Sequence, residues 1–224
     1  MVQSHRSAAR GMLAVAALLV AGPLAAPLAA QRLSLSPQIG VYIPTADLYD
    51  AVTTGADPLK QEVGLTLGGK LGLWMGNRFG VEATGDYLSG KLKYSPSGTA
   101  NRDADLFTGS AKATFFVIPN DKPVYFAVSG GVGHIRRLGA YYDQELNPAT
   151  NAAYTDEELR DWTGTAGATV GFRLGRLLHL SVSGETYVYK PNLVEESDPD
   201  AEANTQKDVQ LKFGVGIPLL GLGF

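Results

Sequence analysis

Cysteine is absent from all 224 residues. Disulfide frameworks and a lipoprotein anchor are therefore excluded. Long apolar runs are also missing: beyond residue 30, no stretch approaches the roughly 18 apolar residues that a membrane helix needs. If the mature chain crosses a membrane, it crosses with strands. Basic charge is in short supply too, with 19 Lys and Arg against 22 Asp and Glu and a net charge of −3. That balance does not suit a nucleic-acid surface, so no nucleic-acid partner is expected.

What is present begins at the N-terminal end. His5, Arg6 and Arg10 make a basic start, and residues 11–20 (GMLAVAALLV) form an apolar core. Pro23 and Pro27 interrupt it, and Leu28-Ala29-Ala30 offers a cleavage site before Gln31. Residues 1–30 therefore read as a cleaved secretory signal and residues 31–224 as one mature domain. A transmembrane anchor is the competing reading, disfavoured because the apolar run is short and broken by proline. Leu28 is large for the position three residues before the cut, so cleavage within a few residues of Ala30 fits equally.

The mature chain is dominated by period-2 alternation, which sends successive side chains to opposite faces of a strand. Eight segments carry it: residues 33–43, 63–75, 79–87, 106–117, 124–135, 162–174, 178–188 and 209–217. One face is apolar, as in Leu65, Leu67, Leu71 and Leu73. The other is small, polar or charged, as in Thr66, Gly68, Lys70 and Gly72. Three connections are short (76–78, 119–123, 175–177) and four are long (roughly 44–62, 88–105, 136–161, 189–208). Short turns at one rim and long loops at the other predict an all-β fold: an eight-stranded antiparallel up-and-down transmembrane β-barrel. An even strand count closes the sheet and leaves no free edge.

Outward aromatics sharpen this. Tyr87, Phe107 and Trp162 fall near the long-loop ends of their segments; Phe79, Phe115, Phe126 and Phe172 fall near the short turns. Two aromatic girdles are what the two membrane interfaces ask for. A soluble lipocalin-like barrel would carry charges on that face, and the positions between the girdles carry none. In the last segment the outward phase is odd through Ile217, whereas Leu220, Leu222 and Phe224 are even. Pro218 is thus expected to mark a bulge or the strand's end.

With these segments in place, the chain resembles the small eight-stranded outer-membrane barrels of the OmpA transmembrane-domain and OmpX type. The most specific stretch is residues 124–134 (VYFAVSGGVGH), which is similar to the glycine-rich fifth strand of that family. The terminal Phe224 is similar to the signal read by the barrel-assembly machinery. The resemblance implies residence in the outer membrane, contact with its lipid and lipopolysaccharide, and no cofactor. The family spans adhesins, envelope-stabilising proteins and immune-evasion proteins; a peptidoglycan-tethering role is not expected here.

The inward face sets Lys70, Lys112, Arg173 and Lys212 against Glu82, Asp86 and Glu185. The interior of an eight-stranded barrel is just wide enough for side chains to fill. Opposite charges there should pair, because an unpaired buried charge is expensive. By height along the strands, Glu185 is expected beside Lys212 and Glu82 beside Lys112. A polar plug of structural character follows, with a narrow solute or ion channel as the alternative. A lipid A-modifying enzyme is the second alternative. His179-Leu180-Ser181 has the His-x-Ser spacing of deacylase barrels, but both side chains fall on the inward phase, and Val182 stands where that family has asparagine. No catalytic residue is therefore assigned.

In the long loops, residues 195–202 (EESDPDAE) form an acidic run without the glycine of a calcium loop, and read as solvated charge. Thr155-Asp156-Glu157-Glu158 has the pattern of a capping box opening one helical turn. The Tyr141-Tyr142 pair is expected as an exposed contact patch or an interfacial anchor. A structural or surface-interaction role through these long extracellular loops is the leading expectation for function, with an extracellular partner of unspecified identity as one form of it.

Overall fold

The alternation closes on itself. The computed structural model describes residues 31–46, 48, 60–93, 102–144, 146–147, 152–175, 177–192 and 205–220. Eight long strands carry the fold: β1 (Gln31–Ile43), β2 (Gly64–Met75), β3 (Phe79–Ser89), β4 (Asp105–Ile118), β5 (Val124–Leu138), β6 (Arg160–Leu174), β7 (Leu178–Tyr189) and β8 (Gln206–Leu220). Each pairs antiparallel with its neighbours in sequence, and β1 pairs with both β2 and β8, so the sheet is a closed barrel. Closure satisfies the backbone of every barrel strand internally, as a lipid environment demands.

The outward face is apolar. Leu65 and Leu67 are 67% and 68% exposed, and Ile39, Val132, Val182, Leu211 and Phe213 are exposed with them. Inside, Lys112, Lys212, Glu185 and Asp86 are buried. This polarity is the reverse of a soluble barrel and sets aside the lipocalin-like reading. Among the described residues no helix is long and apolar enough to cross a membrane.

Hairpin geometry follows from local sequence. Gly76 and Gly175 adopt positive φ (72° and 74°) in the first and third short turns, a conformation that side-chain-bearing residues resist. The turns at this rim also bind one another: the Asn120 amide donates to the Asn77 carbonyl at 3.0 Å.

Two expectations change. First, the strands overrun their expected ends at the long-loop rim: β3 continues to Ser89, β5 to Leu138 and β7 to Tyr189, while β6 begins at Arg160 and β8 at Gln206. The inward phase there carries Leu88, Leu106, Ile135 and Tyr189, all buried. Apolar residues on both faces blur the alternation, although the strands go on. Second, β8 runs past Pro218 to Leu220, so of the two expectations at Pro218 the bulge holds and the strand's end does not. Ser34 pairs with Pro218 and Leu33 with Leu220, so Leu219 is an extra residue forming the bulge. Leu219 keeps the outward phase and is exposed. Phe224, residues 1–30 and the acidic run 195–202 lie outside the described residues.

The long loops add small structure above the barrel. Lys60–Gln61, Lys91–Lys93 and Arg102–Asp103 form a three-stranded sheet, Leu146–Asn147 pairs with Ala152–Ala153, and Ala140–Gln144 makes a short helix.

Candidate functional site: the barrel lumen

The lumen is stacked in layers, each set by the inward phase of the strands. At mid-height, the Lys112 Nζ lies 2.5 Å from Glu185 on β7, and the Lys212 Nζ lies 3.0 Å from Glu185 and 2.9 Å from Asp86. Below this four-membered chain, the Lys70 Nζ sits 3.4 Å from Glu82. Small residues make the room. A Cβ on Gly68 would come within 2.3 Å of an Asp86 carboxylate oxygen, and one on Gly40 within 2.8 Å of the Lys212 side chain. Large and small inward residues thus alternate to fill a narrow tube.

Glu185 and Lys212 are neighbours, as their heights along the strands suggest. Glu82 and Lys112 are not partners. They stand directly opposite in the β3–β4 register, yet Glu82 turns to Lys70 on β2 and Lys112 reaches across the lumen to Glu185. Each lysine pairs within a lumen narrow enough to span, so adjacency on the sheet does not decide the pairing. Arg173 is separate from the charge network as well. Its guanidinium donates to the Asn120 backbone carbonyl at 3.1 Å, at the short-turn rim.

Toward the long-loop rim the lumen closes. Asp208 accepts hydrogen bonds from the Tyr42 and Tyr189 hydroxyls, the latter at 2.7 Å. Arg137 forms a buried ion pair with Asp161, whose other oxygen accepts the Asn192 amide at 2.7 Å. Tyr42, Leu88, Leu106, Ile135, Tyr187 and Tyr189 pack into one buried cluster at this level. Above it Leu48, Leu92, Ala104, Tyr141 and Tyr142 form a second.

The expectation of an exposed tyrosine patch is thus corrected: Tyr141 and Tyr142 are buried. Their rings meet edge to face at 5.2 Å, and burial pushes the Tyr142 phenol above its ordinary pKa. They form a cap, not a contact surface. The capping box forms: the Thr155 amide donates to Glu158 Oε2 at 2.6 Å, and the Glu158 amide to Thr155 Oγ1 at 3.3 Å.

The period-2 pattern does not mark Arg137, Asp161 and Asp208, which lie beyond the clear alternation of their strands. Continuing the inward phase of β5, β6 and β8 by two residues would have found them.

At the opposite end the lumen widens into a cavity of about 600 Å³ lined by residues near the short turns. Ser181 lies inside the barrel, its hydroxyl 3.5 Å from the Gly214 carbonyl oxygen; the His179 ring sits 6.4 Å from that of Tyr125. Among the described residues no cluster of His, Asp and Glu is arranged to hold a metal ion.

Among solved structures, the chain is similar to the N-terminal β-barrel domain of Pseudomonas aeruginosa OprF, at 14% identity over 84% of this chain and 97% of that one, with a TM-score of 0.43. It is similar to Neisserial surface protein A at 12% identity, over 84% and 96%, with a TM-score of 0.45. It is also similar to the outer membrane protein AlkL at 15% identity, over 84% and 89%, with a TM-score of 0.49. No curated protein matches. The family profile for the outer membrane protein beta-barrel domain matches residues 14–219, nearly the whole chain. With that match standing beside a closed eight-stranded barrel of apolar exterior and charged interior, the chain belongs to the outer membrane protein β-barrel family and is a protein of the outer membrane.

Proposed function

We propose that this barrel is a closed anchor that presents structured loops at the cell surface, rather than a conduit. Residues 1–30 act as the cleaved export signal, and the segment ending at Phe224 is read by the barrel-assembly machinery. The outer face meets lipid and lipopolysaccharide, and the loop structure meets an extracellular partner. The observation that carries the reading is the doubly blocked lumen. A solute would have to break the Lys112–Glu185–Lys212–Asp86 chain and then pass the buried Tyr42, Leu88, Leu106 and Ile135 layer. Opening both at once means stranding buried charges and exposing apolar side chains together. No catalytic role is assigned to His179 and Ser181, because both project inside the barrel, away from a lipid acyl ester.

Planar-bilayer recording of the purified protein tests this. No steady conductance is expected; stable open channels would overturn the closed-anchor reading. Binding of labelled cells or matrix proteins that is lost on trimming the long loops would support the surface role directly.

A further inference from the structure

We propose that the short-turn half of the lumen is a blind binding pocket for a small organic anion with a compact apolar body. This pocket goes beyond the closed-anchor reading and draws on it only for being closed at its inner end. Its volume of about 600 Å³ lies within the range of small-molecule sites. The Lys70–Glu82 pair forms its inner wall.

Its sides are aromatic. Trp74 meets Phe116 edge to face at 5.1 Å, and Phe116 meets Tyr125 at 5.7 Å. The indole is held in place: its Nε1 donates to Ser34 Oγ at 3.0 Å, and a Cβ on Gly80 or Gly72 would strike the ring at 2.2 or 2.4 Å. These three rings form a fixed apolar surface of the kind that packs a ligand body.

The charge at the mouth has one sign. Arg32 and Arg173 both line the cavity, and among the described residues neither has a carboxylate within salt-bridge distance. The one acid of the lining, Glu82, is engaged by Lys70. Asn120 lines the same space, is 6% exposed, and its side-chain oxygen has no hydrogen-bond partner. That oxygen is an acceptor, so it calls for a donor on the body of the ligand and does not meet the anionic group itself. Arg173, which also donates to the Asn120 carbonyl at 3.1 Å, and Arg32 have no carboxylate partner among the described residues, and guanidinium groups suit carboxylate or phosphate. Such a molecule can be a free aromatic acid or a single-chain fatty acid, entering through the short-turn mouth because the closed sheet bars entry from the bilayer.

The test uses the full mature protein in nanodiscs of phosphatidylcholine. The chain has two tryptophans, so a Trp162→Phe background makes Trp74 the reporter. The probe is 4-nitrobenzoate, a quencher of indole fluorescence, with neutral 4-nitrobenzyl alcohol as its control. Saturable quenching by the acid, at least ten-fold tighter than by the alcohol, is expected. It should weaken at least ten-fold in Arg32→Gln/Arg173→Gln, and vanish in Ala127→Phe, which fills the cavity and leaves both arginines in place. Displacement of the nitrobenzoate by laurate identifies a single-chain fatty acid as the natural class; failure of laurate to compete identifies a free aromatic acid. Non-saturable quenching, or equal quenching by the neutral alcohol, overturns the proposal without any pocket variant, and so does undiminished binding in a folded pocket variant. Heat-modified gel mobility establishes folding. A lost pocket with a sealed bilayer leaves the closed-anchor reading standing; open channels overturn that reading and the pocket's blind end together, and intact nitrobenzoate binding then leaves only the anion site.

Discussion

Glu185 holds together the charge network at mid-lumen, because two lysines from opposite sides of the barrel converge on its one carboxylate. Removing that charge is not symmetrical. Lys212 keeps Asp86 at 2.9 Å, but Lys112 is left without a carboxylate at salt-bridge distance. A buried cation stripped of its partner costs roughly 3 kcal/mol or more, whereas replacing the whole pair by neutral groups of similar size is close to neutral. Glu185→Gln is therefore expected to lower stability by about 3 kcal/mol. The double variant Glu185→Gln/Lys112→Met is expected to regain most of it, with a coupling of about 2 kcal/mol. Urea unfolding in lipid vesicles, followed by tryptophan emission, reads both values. A single variant as stable as its parent would show that the lumen is wet enough to solvate Lys112. At this scale the sequence reveals which residues face inward, since that needs only strand phase. It does not reveal their partners: Glu82 and Lys112 sit opposite each other on the sheet and still choose others, because cross-lumen reach depends on barrel diameter and on the space left by Gly40 and Gly68.

Strands are the most legible elements and their upper ends the least. The eight segments are visible because a lipid-facing residue and a polar residue alternate. Near the long-loop rim the inward residues become Leu88, Leu106 and Ile135, and the contrast fades although pairing continues. The buried pairs Arg137–Asp161 and Tyr42–Asp208 fall in or beside those overrun ends, where alternation no longer marks the inward face. The short-turn rim is the reverse case, because its geometry is local. Gly76 closes the β2–β3 hairpin at φ 72° with nothing within 4 Å of where a Cβ would sit, so the position is demanding in backbone conformation and not in space. Gly76→Ala is expected to destabilise the barrel by about 1 kcal/mol, the strain of a left-handed conformation on a residue with a Cβ. Gly164, in β6, also has open space around it, and its φ lies outside the positive region. Gly164→Ala is expected to be neutral or slightly stabilising, since it removes only chain entropy. Paired urea midpoints of the two variants measure the difference. Equal midpoints would mean that the turn relaxes without strain.

At the scale of the molecule, the decisive property is that polarity is turned inside out. Leu67 and Trp162 are 68% and 76% exposed, while Lys112 and Lys212 are sealed within. Water would make such an object insoluble; lipid makes it stable, because the sheet has no edge and the apolar band has an apolar solvent. The two tryptophans sample the two sides of this arrangement. Trp162 points outward at the long-loop rim, its ring edge to face with His134 at 5.2 Å, and the neighbouring Arg160 and Arg136 are suited to the headgroup level. Trp74 points inward, hydrogen-bonded to Ser34 and packed on Phe116. In vesicles of brominated lipid, a Trp74→Phe variant, which retains Trp162, is expected to be strongly quenched, most by bromines placed near the headgroup. A Trp162→Phe variant, which retains Trp74, is expected to be quenched weakly at every bromine depth. Equal quenching of the two would mean that one wall of the barrel is open to lipid, and a closed sheet of eight paired strands forbids that.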